Sequence, residues 1–127
     1  MKYAANIVGA LVGLIFAGLA GCYFLKVFPI PEFPEGSPIA MFNGAFLSTG
    51  YMDFIKALEI VGGLLIAFPR TRNLGLLVLG PILVNIFACH IFVMQGGLLN
   101  PIIIFLTGGM AFLLWTRRVA FTALVAK

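Results

Sequence analysis

The stretch YMDFIKALEIVGGLLIAFPRTRNLGLLVLGPILVNIFACHIFVM, residues 51–94, decides the fold. It holds two apolar runs, 51–68 and 74–94, separated by Pro69, Arg70, Thr71, Arg72 and Asn73. At 1.5 Å per residue, an apolar run of about 18 to 25 residues crosses roughly 30 Å of hydrocarbon. Each run reads as a membrane-spanning helix. Pro69 closes the first, and the two arginines make the connection a tight basic turn.

Working outward, residues 4–28 form another apolar run, followed by Pro29, Pro31, Pro34 and Pro38 with Glu32, Glu35 and Gly36. So many prolines cannot continue a helix, which predicts a solvated loop outside the membrane. Residues 39–47 are apolar but too short to cross, so they predict a re-entrant or interfacial segment packed on the mouth of the bundle. Ser48, Thr49 and Gly50 punctuate the chain before the next span. Downstream, residues 95–100 make a short uncharged turn, and Pro101 suits the first turn of a fourth span reaching residue 115. The expectation is an all-α integral membrane four-helix bundle, one domain over residues 1–127, with spans at about 4–28, 51–68, 74–94 and 101–115.

Composition agrees: 62% of the 127 residues are apolar and 9% are charged, too few to clothe a soluble core. The basic residues sit at the ends of apolar runs, where a nucleic-acid footprint would cluster them on a solvated face among stacking aromatics. Nucleic acid is therefore not an expected partner. Lys2, Arg70, Arg72, Arg117, Arg118 and Lys127 fall on one side of four crossings, and the four acidic residues fall toward the other. The positive-inside rule then places both termini in the cytoplasm. Leu19, Ala20, Gly21 and Cys22 also match a lipoprotein signal, but Tyr23, Phe24 and Leu25 follow where a polar tether belongs.

Ionisable groups within a span cost roughly 2.5 to 3.5 kcal/mol each and need a partner or a purpose. Lys26, Asp53, Lys56, Glu59, Asn85, Cys89 and His90 all fall at similar depth, toward the outer mouth. Lys56 and Glu59, three apart, are spaced to pair, and Asp53 stands three before Lys56. Such a pair serves equally as a register-fixing ion pair or as a ligand or proton site. Lys26 is expected to reach Glu59 or Asp53 across the bundle, or to extend to the interface. His90 suits a proton carrier, a hydrogen bond to a quinone head or a carbonyl-satisfied structural role, and a metal site is poorly provided for. Asn85 suits interhelical hydrogen bonding. Cys22 and Cys89 form no CxxC; a single long-range disulfide is geometrically possible if the first and third helices touch there, and two reduced thiols are the commoner case in lipid. Glycines 9, 13, 18, 21, 62, 63, 75, 80, 108 and 109 predict close helix packing, and Pro81 a kink in the third span.

Ser48 to Tyr51, Leu58-Glu59-Ile60-Val61-Gly62-Gly63, Leu79-Gly80-Pro81 through Asn85 to Phe87, and His90-Ile91-Phe92 together resemble the DoxX family of small bacterial membrane proteins. Lys26 resembles that family's first-helix lysine. The resemblance covers nearly the whole chain and implies a four-helix fold in the bacterial inner membrane. It also implies a site from Lys26, Glu59, Asn85 and His90, and a link to quinone oxidoreduction or thiol-stress complexes. The architecture is similar to membrane thiol oxidoreductases of the vitamin K epoxide reductase type, whose paired cysteines this chain lacks. The functional expectation is an accessory subunit that binds a quinone or lipid in an outer-mouth pocket formed by Lys26, Lys56, Glu59, Asn85 and His90. The competing expectation is a quinone-linked oxidoreductase subunit, with His90 or Glu59 handling protons. Expected partners are membrane lipid, a redox partner protein and further copies of the chain.

Overall fold

A computed structural model describes residues 2–27, 29, 32–94 and 100–125. The expected turn at 95–99, Pro31 and the terminal Lys127 lie outside the described residues. Within them the secondary structure is entirely helical: α1 (Lys2–Leu25), α2 (Pro38–Ser48), α3 (Tyr51–Ala67), α4 (Arg72–Ala88) running on as a π-helix (Cys89–Met94), α5 (Pro101–Thr116) and a short α6 (Arg118–Thr122). Two helices, Lys2–Leu25 and Arg72–Val93, are long and apolar enough to cross a membrane; α5 is apolar but shorter.

Local chemistry sets the boundaries. α1 stops before the proline loop because Lys26 turns left-handed, with φ 56°. The Lys26 amide then donates to the Tyr23 carbonyl at 3.2 Å and the Val27 amide to Cys22 at 3.1 Å, the paired bonds of a Schellman cap in a position usually held by glycine. Ser37 caps α2, accepting from the Ala40 amide at 3.3 Å, with Pro38 at the first helical position. Asn100 and Pro101 open α5 in the same way, the Asn100 side chain accepting from Ile102 at 2.8 Å. α3 ends where Phe68 becomes extended ahead of Pro69.

α1 and α3 pack antiparallel, and their crossing is backbone on backbone. A Cβ added at Gly63 would meet the Gly13 carbonyl oxygen at 2.5 Å, and one at Gly13 would strike the Gly63 carbonyl oxygen. α4 lies against the next face of α3, where Gly75 abuts the Ile66 amide and Gly62 abuts Leu79. α5 closes on α1 through Gly109 and Val12. The small residues thus allow the close approach that membrane helices favour, but at six of the ten expected positions: glycines 18, 21, 80 and 108 have nothing within 4 Å. Val12, Phe16, Ile66, Leu79, Met110 and Leu113 fill the centre. Outward, every long helix carries exposed large apolar side chains, among them Ile7, Val61, Val84 and Ile104.

The basic turn at 69–73 departs from the reading above. Arg72 is the first residue of α4 and is 1% exposed. Its Nε donates to the Ile66 carbonyl at 2.9 Å and Nη1 to Asn6 Oδ1 at 3.2 Å, while Nη2 has no partner. Gly9 lies beside the guanidinium, where a Cβ would sit 2.5 Å from Nη2. Arg117, at the end of α5, donates to the Pro69 carbonyl at 3.0 Å. The start of α1, the α3–α4 turn and the end of α5 are thereby tied together.

Candidate functional site

At the opposite end of the helices a cavity of about 450 Å³ opens between α2, α3, the C-terminal part of α4 and the π-helix. α3 supplies Lys56 and Glu59, one turn apart on the inward face. α4 supplies Ile82 and Asn85, and the π-helix supplies Cys89 and His90. α2 contributes Phe42 and Phe46, one turn apart and stacked with ring centroids 4.0 Å apart. Phe46 meets Tyr51 edge to face at 4.6 Å, which anchors α2 to the start of α3. Residues 39–47, expected as a re-entrant or interfacial segment, lie in this helix, one wall of the cavity.

Glu59 is 6% exposed. The Lys56 ammonium stands 3.1 Å from its Oε2, an ion pair between residues three apart on α3. A buried carboxylate held by a single ammonium is a costly arrangement, since its lone pairs have left water without full replacement. Lys56 is drawn partly aside: its Nζ lies 5.8 Å from the centre of the Tyr23 ring.

Asn85 and His90 are both committed within their own helix. The Asn85 amide nitrogen donates to the Pro81 carbonyl at 3.1 Å, so its side chain is not the interhelical bond expected of it. The contact pins the amide nitrogen and leaves Oδ1 free. His90 Nδ1 lies 2.8 Å from the Ile86 carbonyl. A carbonyl only accepts, which makes Nδ1 the protonated nitrogen and leaves Nε2 as the ring's remaining acceptor. Continuation of α4 as a π-helix sets the register of Cys89 and His90, and such distortions recur at functional sites. Cys22 and Cys89 are free thiols.

The structure brings Lys56, Glu59, Asn85 and His90 to one cavity but does not bring Lys26. That residue is exposed, in the left-handed cap of α1, and does not line the cavity. At this end Tyr23 is the α1 side chain that hydrogen-bonds to α3: its hydroxyl donates to Asp53 at 2.8 Å, outside the cavity. The Schellman turn ends the helix before Lys26 and redirects the chain there, so of its two expected fates the structure shows an exposed side chain and no ion pair with Glu59 or Asp53. Sequence reasoning also passed over Asn6, the one amide in the first apolar run, which turned out to be the partner of Arg72. The spacing of Phe42 and Phe46, four apart, was the available signal for the α2 wall. No family model, curated protein or solved structure matches this chain.

Proposed function

We propose that this chain is a multi-pass protein of the bacterial inner membrane, related to the DoxX proteins. It crosses four times with both termini cytoplasmic, and it is an accessory subunit that holds a quinone or lipid head in the cavity at its outer mouth. One observation carries the ligand reading: the Glu59 carboxylate, 6% exposed, is buried at an apolar cavity with the Lys56 ammonium beside it at 3.1 Å. A volume of about 450 Å³ falls within the range of small-molecule pockets, and apolar walls with a few convergent polar groups are their usual lining. Lys56, Asn85 and His90 face the same space, and the tail of a lipidic ligand would leave between helices into the bilayer.

The membrane reading is supported by the outward apolar side chains of all four long helices and by the segregation of charge. Lys2, Arg70, Arg72 and Arg117 gather at the end where Asn6 meets Arg72, and Asp53 and Glu59 lie toward the cavity end. At 17 and 16 residues, α3 and α5 are short for spans, about 25 Å each, and cross where α1 and α4 hold the bundle upright. Native mass spectrometry of protein released gently from its membranes tests the function. A full-length mass carrying a quinone or defined lipid, lost in Glu59→Leu, supports it; a bare mass from both proteins contradicts it. The oxidoreductase reading draws on His90, whose ring lines the cavity with Nδ1 against the Ile86 carbonyl, and a reductase-dependent turnover of quinone would favour it.

A further inference from the structure

Charge at the end of the bundle opposite the cavity is not balanced by the protein itself. The sequence has no acidic residue before Glu32 or after Glu59, while Lys2, Arg70, Arg72, Arg117 and Arg118 belong to that end. The hydrogen bonds of these arginines go to neutral acceptors: Arg72 to the Ile66 carbonyl and the Asn6 side chain, Arg117 to the Pro69 carbonyl, Arg118 to the Trp115 carbonyl. Arg72 Nη2, in a side chain 1% exposed, has no partner at all. Ile66 and Pro69 belong to the C-terminal end of α3, whose dipole carries a partial charge of about −0.5, so it offsets only part of two guanidinium charges.

Beside these arginines lies a groove of about 720 Å³ lined by Leu64, Leu65, Phe68, Pro69, Arg70 and Thr71. Its wall is apolar: Leu64 and Phe68 are exposed, and Thr71 spends its hydroxyl on the Leu65 carbonyl at 2.7 Å. Arg70 stands at one end of the strip, and Arg117 reaches that end through its 3.0 Å bond to the Pro69 carbonyl. An apolar strip that finishes in uncompensated cations has the amphipathic outline of a lipid with an acidic head.

We propose that this groove binds one anionic phospholipid of the leaflet in which it lies, its phosphodiester received by Arg70 and Arg117 and an acyl chain laid over Leu64, Leu65 and Phe68. The proposal rests on the membrane reading above and is independent of the quinone site at the other mouth. A guanidinium offers five N–H donors in a planar fork that matches phosphate oxygens, and the bond to Pro69 engages one nitrogen of Arg117. A zwitterionic lipid brings the same phosphate together with an ammonium. This end repels that ammonium, because it holds several cations and no side-chain carboxylate. A soluble anion gains from the arginines but has no use for the apolar wall, so the lipid is the occupant that uses both halves of the groove.

The test titrates dioleoyl-phosphatidylglycerol and dioleoyl-phosphatidylcholine into the delipidated full-length protein in detergent at fixed ionic strength, with bound lipid counted by native mass spectrometry. A basic residue at a membrane surface multiplies affinity for anionic lipid about fivefold, so two arginines should favour phosphatidylglycerol about 25-fold, with one lipid bound first. Arg70→Gln, at an exposed position, should weaken phosphatidylglycerol about fivefold and leave phosphatidylcholine unchanged. Phe68→Ala should weaken the dioleoyl lipid and leave a dihexanoyl phosphatidylglycerol unchanged. Arg118→Gln should change neither, since that guanidinium stacks on the Trp115 ring at 4.3 Å, away from the groove. Equal binding of the two lipids, or the same loss in Arg118→Gln as in Arg70→Gln, overturns the proposal. Displacement of phosphatidylglycerol by inorganic phosphate or by a decaglutamate peptide assigns the arginines to a soluble anion and also overturns it. A protein that stays monodisperse in water without detergent overturns the membrane reading itself.

Discussion

Alanine at Gly63 should destabilise the protein although alanine is the better helix former. The new Cβ would lie 2.5 Å from the Gly13 carbonyl oxygen and 2.9 Å from the Ala17 amide nitrogen, both backbone atoms of a packed helix. A carbon and an oxygen settle at about 3.3 to 3.6 Å, so α1 and α3 must part by about 1 Å at their crossing. Overpacking of this kind costs about 1 to 3 kcal/mol, and the helix-propensity gain returns at most about 1 kcal/mol. The expected net loss is about 1 kcal/mol, rising to about 2 kcal/mol if the helices part little. Gly18→Ala, on α1 with no neighbour within 4 Å, receives the propensity gain without the clash and should be neutral or slightly more stable. Unfolding both variants in mixed micelles by SDS titration, followed by helicity and Trp115 fluorescence, measures the difference. If Gly63→Ala were as stable as Gly18→Ala, the backbone-on-backbone crossing would be refuted.

Arg72→Ala should lose about 3 kcal/mol in the same titration, since it strands the Ile66 carbonyl and Asn6 and opens a void beside Gly9, whereas Arg70→Ala should change stability by no more than about 0.5 kcal/mol. With both native cysteines replaced, Glu35→Cys and Arg70→Cys should react with an impermeant maleimide from opposite faces of sealed vesicles; labelling of both from one face would break the four-crossing topology. Lys26→Gly should stabilise by about 1 kcal/mol, because glycine adopts the left-handed cap of α1 without a side-chain penalty, and no gain on melting would argue against that cap.

The helices were legible because hydrophobic run length and proline are local signals. Residues 51–68 and 101–115 match α3 and α5 within a residue at each end, and Ser37, Asn100 and Pro101 mark starts that the backbone chemistry requires. The fates of individual polar residues were less legible because they depend on tertiary placement. Arg72 reads as a solvated turn residue until α1 delivers Gly9 and Asn6 beside it. Lys26 reads as intramembrane until the chain turns left-handed at that residue. The π-helix that presents His90 leaves no mark in hydrophobic periodicity, and Asn85, expected to bond across helices, takes its partner from its own helix instead. Lys56 and Glu59 were found because a spacing of three on one helix places two side chains together whatever else the fold does.

The most direct test of the cavity as the ligand site is photo-crosslinking in native membranes with a quinone analogue bearing a photoreactive ring, mapped by peptide mass spectrometry. The account predicts labels on α2 at Phe42 and Phe46, on α3 near Glu59 and on the Cys89–Met94 segment, with the labels competed away by unmodified quinone. Labels spread over the outward faces at Ile7, Val61 and Ile104, unaffected by competitor, would show partition into lipid beside the protein and contradict the account.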